Sequence, residues 1–199
     1  MRPFPASPRI LVIGTSCAGK STLASALSLA LAIPRIELDV LFWSPGWQPK
    51  PPELFLSLVR EAAAGECWVA DGNYGMIRPV LWPRANVIVW LNYSLPVVFW
   101  RGLLRSIRRS WRREVLWHGN TESFRRTFLS RESILLWILT THRRRARMLR
   151  CLQDDPQYAG IEWIEFRTPA ETSGWLEGLC VPPARHQLDV TPSHNTPVR

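Results

Sequence analysis

Eight consecutive residues, Gly14-Thr15-Ser16-Cys17-Ala18-Gly19-Lys20-Ser21, follow the spacing G-x-x-x-x-G-K-[ST] without exception. A polyphosphate presents oxygens on several sides, so a loop that holds it must wrap it with backbone N–H groups. Small residues let that backbone come close. A helix opening at the loop adds its positive dipole end. Lys20 is then placed for the β and γ phosphates, the Ser21 hydroxyl for Mg²⁺, and Thr22 for the α phosphate. The pattern predicts a nucleoside triphosphate site, ATP with Mg²⁺, built from Gly14, Thr15, Ser16, Cys17, Ala18, Gly19, Lys20, Ser21 and Thr22. Cys17 at a helix N-terminus is a candidate for a lowered thiol pKa, or simply a small filler.

Two acids are the next candidates. Asp71 closes an apolar run and precedes Gly72, where a phosphate-loop site needs a carboxylate on Mg²⁺, directly or through water. Asp39 also ends an apolar run and could take a proton from, or orient, a substrate hydroxyl. Trp43 and Trp47 follow in a loop and could flank a ring-shaped substrate, or be ordinary loop packing.

The elements that must position these residues can be read from periodicity. Arg9–Gly14 is a short continuous apolar run ending in glycine, the mark of a buried parallel strand. A helix is expected from Lys20 to Ile33, halted by Pro34. Further strands are expected near 35–38, 67–70, 86–91 and 161–166. Helices are expected over 53–64, from Pro96 onward and over 170–179, and the Pro- and Trp-rich stretch 42–52 is expected to be loop. Strands alternating with helices predict an α/β fold with a parallel sheet and helices on both faces. Ligands in such folds bind at the carboxyl ends of the strands. Gly14, Asp39, Asp71 and Asn92 should therefore meet on one sheet edge.

Of the 199 residues, two are lysines; arginine carries the rest of the positive charge. Residues 101–150 hold 14 arginines and only Glu114, Glu122 and Glu132 as acids, a net +11 in a chain whose total is +9. The basic character is therefore regional. Arg101, Arg105, Arg109 and Arg113 recur every four residues, a spacing that destabilises an isolated helix unless an anion or facing acid relieves it. Trp100, Leu104, Ile107, Trp111 and Val115 form one apolar stripe on the same helix. A second basic block, Arg143-Arg144-Arg145 with Arg147 and Arg150, follows the apolar 134–139. Two such helices joined by a Gly119-Asn120 turn predict an Arg-rich lid, about 101–150, whose planar guanidinium forks suit phosphate oxygens. The competing readings are a solvated face and a nucleic-acid footprint, that of an ATP-switched regulator.

Cys17, Cys67, Cys151 and Cys180 form no CxxC pair, which argues against zinc and a disulfide scaffold and suggests a reducing, cytoplasmic setting. The apolar runs read as buried elements and not as membrane spans. Residues 1–8 are expected to be a loose arm, 9–181 one domain, and 182–199 a disordered tail.

Together, GTSCAGKST, Glu37-Leu38-Asp39, the DGNY of Asp71 to Tyr74, Leu95-Pro96 followed by Trp100-Arg101, and SRESILLW at Ser130 to Trp137 resemble the adenylate-kinase-related ATPases often labelled topology modulation proteins. The resemblance spans roughly residues 9–180. It implies a phosphate-loop fold of the nucleoside-monophosphate-kinase type, with a five-stranded parallel sheet, a mobile lid, ATP and Mg²⁺. It implies nucleotide-binding roles for Gly14, Gly19, Lys20, Ser21 and Thr22, and equates Asp71 with the acid of the D-G-[FY]-P-R motif. Arg101 and Arg105 resemble the pair that opens the lid, Arg131 and Arg143 or Arg144 the later lid arginines, and Arg167-Thr168-Pro169 the adenine cradle. The chain departs from adenylate kinase at Asn73-Tyr74, where Pro-Arg would stand. Asp39 resembles instead the acid of small-metabolite kinases. The expected activity is transfer of the γ-phosphoryl group to a small acceptor: a nucleotide, or a sugar, shikimate or nucleoside hydroxyl.

Overall fold

A computed structural model describes residues 4–112, 119 and 134–180. The elements run β1 (Arg9–Gly14), α1 (Lys20–Leu31), β2 (Arg35–Glu37), α2 (Leu38–Phe42), β3 (Trp43–Ser44), β4 (Gln48–Pro49), α3 (Pro52–Ala62), β5 (Trp68–Asp71), α4 (Arg78–Leu81), β6 (Val87–Leu91), α5 (Leu95–Arg112), α6 (Ile134–Gln153), β7 (Glu162–Phe166) and α7 (Pro169–Cys180). The expected tail, Arg113, Val115, Asn120, Arg131 and the acids Glu114, Glu122 and Glu132 lie outside the described residues.

Five strands form one sheet in the order β2-β5-β1-β6-β7, every neighbouring pair parallel. The three central strands, β5, β1 and β6, are almost wholly buried because both faces of the sheet are covered, while the edge strands β2 and β7 carry Arg35, Glu37, Glu162 and Glu165. Leu11, Ile13, Trp68, Ala70, Ile88 and Trp90 join Phe55, Val59, Leu81, Trp82 and Leu149 in one core. Ile10, Val12, Val69, Val87, Val89 and Leu91 join Leu23, Ala24, Leu27, Val98 and Ile138 in the other. The result is three layers, helices on both faces of a five-stranded parallel sheet. Each fully buried Leu or Ile stabilises this arrangement by about 1.5–3 kcal/mol.

The register sets the site. Val12 and Glu37 both pair with Asp71, on the two sides of β5, so the strand ends lie level. α1 ends where Ala32 takes a left-handed φ of 52° and its N–H bonds the carbonyls of Leu29 and Ser28, ahead of Pro34.

Two local expectations change. β2 stops at Glu37, so Asp39 stands in the first turn of the short helix α2 and not on the strand. The stretch 42–52 is not plain loop: β3 and β4 pair antiparallel, Trp43 with Pro49 and Ser44 with Gln48. Lys50 holds the hairpin base, its Nζ donating to the carbonyls of Trp43 at 2.7 Å and Val40 at 3.3 Å.

Candidate functional site

A cleft of about 1220 Å³ opens at the carboxyl ends of the strands. Its floor is the loop between β1 and α1. Gly14 closes β1 at φ 146°, and a Cβ there would lie 2.6 Å from the Leu91 carbonyl oxygen of the neighbouring strand, so only glycine lets the loop leave the sheet here. The loop folds on itself through Ala18 N–H to the Thr15 carbonyl, 3.2 Å. Thr15 and Ala18 are buried beneath it. Ser16, Cys17, Ala18, Gly19, Lys20, Ser21 and Thr22 line the cleft.

Lys20 donates from Nζ to the Thr15 carbonyl at 3.1 Å, lying along the loop where a polyphosphate would sit. Burial lowers its pKa below the ordinary value, Asp39 opposes that shift, and Arg145 adds to it.

Asp71 is buried at the end of β5. Its two oxygens have separate partners. Oδ2 accepts from the Ser21 hydroxyl at 2.5 Å. Oδ1 faces Arg35, at 3.2 Å from Nε and 3.1 Å from Nη2, and Arg35 also pairs with Glu37 at 3.0 Å. Arg35 thus holds the carboxylate in place from one side and leaves the other to Ser21. The Ser21 hydroxyl and Asp71 Oδ2 are hard oxygen donors of the kind Mg²⁺ takes together with phosphate oxygens and water. Among the described residues no three of His, Cys, Asp and Glu gather about one point.

Asp39 lines the same cleft from α2, facing Lys20. Burial raises its pKa, while the Tyr74 hydroxyl, which donates to Oδ1, and the Lys20 charge oppose the rise. Burial and the adjacent carboxylate push the Tyr74 phenol far above its usual value, so it keeps its proton and acts as donor. Gly72 makes this meeting possible: at φ 146°, a Cβ there would stand 2.9 Å from Leu38 Cδ1. Trp43 and Trp47, 5.6 Å apart edge to face, form the outer wall beside Asn73 and Tyr74.

Helices α5 and α6 supply the cations. Arg101 of α5 donates from Nη1 to the Ala18 carbonyl at 3.0 Å and lies over the Tyr93 ring at 5.4 Å. Arg105, Arg108 and Arg109 line the cleft from the same helix, and Arg145 from α6. Arg143 and Arg144 are exposed and outside the lining. Arg145 is half-buried, 5.3 Å over the Trp137 ring, and burial lowers its pKa. Among the described lining residues six cations face three acids, Glu37, Asp39 and Asp71.

Two further residues sit apart. Arg167 is exposed, its Nε 3.4 Å from Glu165, while Pro169 and Thr172 of the following helix line the cleft. Asn92 turns from the loop and donates to Glu165 at 2.7 Å. Arg150 grips Glu165 at 2.7 and 3.0 Å and, with Asn92, holds its pKa down at about 2, tying α6 to the end of β7.

Tyr74 and Arg35 escaped sequence reasoning as site residues, and Arg145 was named only within its basic block, the resemblance pointing instead to Arg143 or Arg144. Tyr74 left a signal, as the aromatic residue three positions after Asp71. Arg35 becomes visible only once β2 is known to pair with β5.

No family model matches the chain, and no curated protein sequence matches it. Solved structures do resemble it. Shikimate kinase from Bacteroides thetaiotaomicron aligns with a TM-score of 0.50 at 20% identity, over 86% of this chain and 96% of that one. A gluconokinase from Sinorhizobium meliloti 1021 aligns at 0.48 and 22%, over 87% and 91%, and shikimate kinase from Aquifex aeolicus at 0.46 and 17%, over 86% and 95%. The chain therefore shares the α/β fold of the Bacteroides shikimate kinase, a five-stranded parallel sheet between helices.

Proposed function

We propose that the protein is a phosphotransferase that moves the γ-phosphoryl group of ATP, with Mg²⁺, to a nucleotide or hydroxyl-bearing small metabolite. The observation that carries this reading is the division of labour between two carboxylates in one cleft. Asp71 touches Ser21 on the nucleotide side, whereas Asp39 is held by Tyr74 and faces Lys20.

On this reading the loop N–H groups, Lys20 and Thr22 bind the phosphates. Ser21 and Asp71 would hold Mg²⁺, which supplies charge neutralisation for the β and γ oxygens. Asp39 orients the acceptor hydroxyl and takes its proton as that oxygen bonds to the γ phosphorus; the bond from phosphorus to the β–γ bridging oxygen breaks, and ADP leaves with the electron pair. Lys20, Arg101 and Arg105 offset the charge on the transferring group. Helices α5 and α6 act as a lid that excludes water, so that the acceptor and not water receives the phosphoryl group. Trp43 and Trp47 give a ring-shaped acceptor a wall to lie against.

The DGNY segment and the SRESILLW segment support membership of the adenylate-kinase-related group called topology modulation proteins. The arginines bear against a nucleic-acid regulator, because Arg101, Arg105, Arg108, Arg109 and Arg145 line the cleft. Among the described residues no helix is long and apolar enough to cross a membrane. Among the described residues Cys17, Cys67 and Cys151 form no disulfide, which suits a reducing cytoplasm where ATP is supplied.

The test is Mg²⁺-dependent ADP formation across nucleoside monophosphates, nucleosides and small hydroxylated metabolites. One acceptor should raise the rate well above background, and Lys20→Ala should lower it by about 10²–10³-fold in a folded protein. An unchanged rate in that variant sinks the assignment.

A further inference from the structure

β2 and β5 run side by side, with Glu37 opposite Asp71. Two residues beyond Glu37 comes Asp39, and three beyond Asp71 comes Tyr74, so neighbouring strands deliver the pair to one place. The tyrosine ring is clamped. Phe42 lies 4.6 Å from it and Phe55, itself fully buried, 5.3 Å edge to face. A ring held on two sides has little freedom, so the core fixes where its hydroxyl stands in the cleft. That hydroxyl donates to Asp39 Oδ1, and Oδ2 has no hydrogen-bond partner among the described residues.

We propose that Tyr74 is the positioning residue for Asp39: it fixes one carboxylate oxygen against the aromatic core and so presents the other to the acceptor hydroxyl. This rests on the phosphotransferase reading above. The pairing also sets when Asp39 is ionised. Burial and Asp71 favour the neutral acid; Tyr74, Lys20 and Arg105 favour the carboxylate. Removing the tyrosine hydroxyl takes away the strongest of the favourable contacts, so Asp39 stays protonated to a higher pH and the acid side of the activity profile moves with it.

Tyr74→Phe keeps the clamped ring and loses only the hydroxyl. With the full chain, Mg-ATP and the acceptor found above, kcat should fall by about 10–100-fold. KM for ATP should stay the same, and the acidic limb of kcat/KM should shift to higher pH. An acidic limb that stays in place overturns the proposal, whatever happens to kcat. A second measurement needs no turnover: the carboxyl ¹³C titration of Asp39, assigned with Asp39→Asn, in the wild type and in Tyr74→Phe. It should move upward in the variant, and an unmoved titration overturns the proposal. A titration that moves in a protein that phosphorylates none of the acceptors supports the pairing and removes the phosphotransferase reading instead.

Discussion

Helices α1 and α5 both carry apolar residues at helical spacing, and they use them in opposite ways. On α1, Leu23, Ala24 and Leu27 are buried against the sheet. On α5 the stripe of Trp100, Leu104, Ile107 and Trp111 faces outward, with Trp111 88% exposed. What α5 buries is a row of small residues four apart, Val98, Gly102 and Ser106. Gly102 lets the helix lie directly on the loop between β1 and α1: a Cβ there would meet Ile138 Cδ1 at 3.0 Å and Cys17 Sγ at 3.2 Å. That close approach also brings Arg101 to the Ala18 carbonyl. Periodicity says that a helix has an apolar face; it does not say that this face is the packed one.

The contrast can be broken by substitution. Leu27→Ala on α1 opens a hole in a filled core and should cost about 2–5 kcal/mol in a denaturant melt. Gly102→Ala on α5 forces the loop thiol or Ile138 to give way. It should cost about 1–3 kcal/mol and weaken ATP binding as α5 lifts from the loop, which calorimetry would register. Trp111→Ser removes the largest residue of the exposed stripe, yet should move the melt by no more than about 0.5 kcal/mol. A larger loss would mean that the stripe is covered in solution, and the comparison between the two helices would need to be redrawn.

The proposed nucleotide side was legible because its constraints are local. Gly14 to Ser21 is a contiguous motif between a strand and a helix, and its residues meet wherever that unit folds. Asp71 was legible for the same reason, as the polar end of an apolar run. The proposed acceptor side depends on contacts between distant segments. Asp39 was found as a residue but assigned to a strand end, because nothing in the run from Arg35 reveals that the backbone coils at Leu38. The hairpin at 43–49 rests on Lys50 capping carbonyls up to ten residues back, which a loop-like composition conceals. Arg145 and not its neighbours enters the cleft because of how α6 is rotated against α5, and a run of three arginines cannot show that rotation. The burial of α5 was misleading for a related reason: a glycine and a serine make a contact face that no hydrophobicity pattern marks.

Gly72 has a consequence for how such a protein can diversify. A side chain at that position collides with Leu38, the fully buried neighbour of Asp39. In a library of variants, position 72 should tolerate glycine alone, while the exposed Pro45, Gln48 and Pro49 of the hairpin are open to change. The hairpin surface is therefore free to drift, while the turn that seats Asp39 and Tyr74 stays fixed.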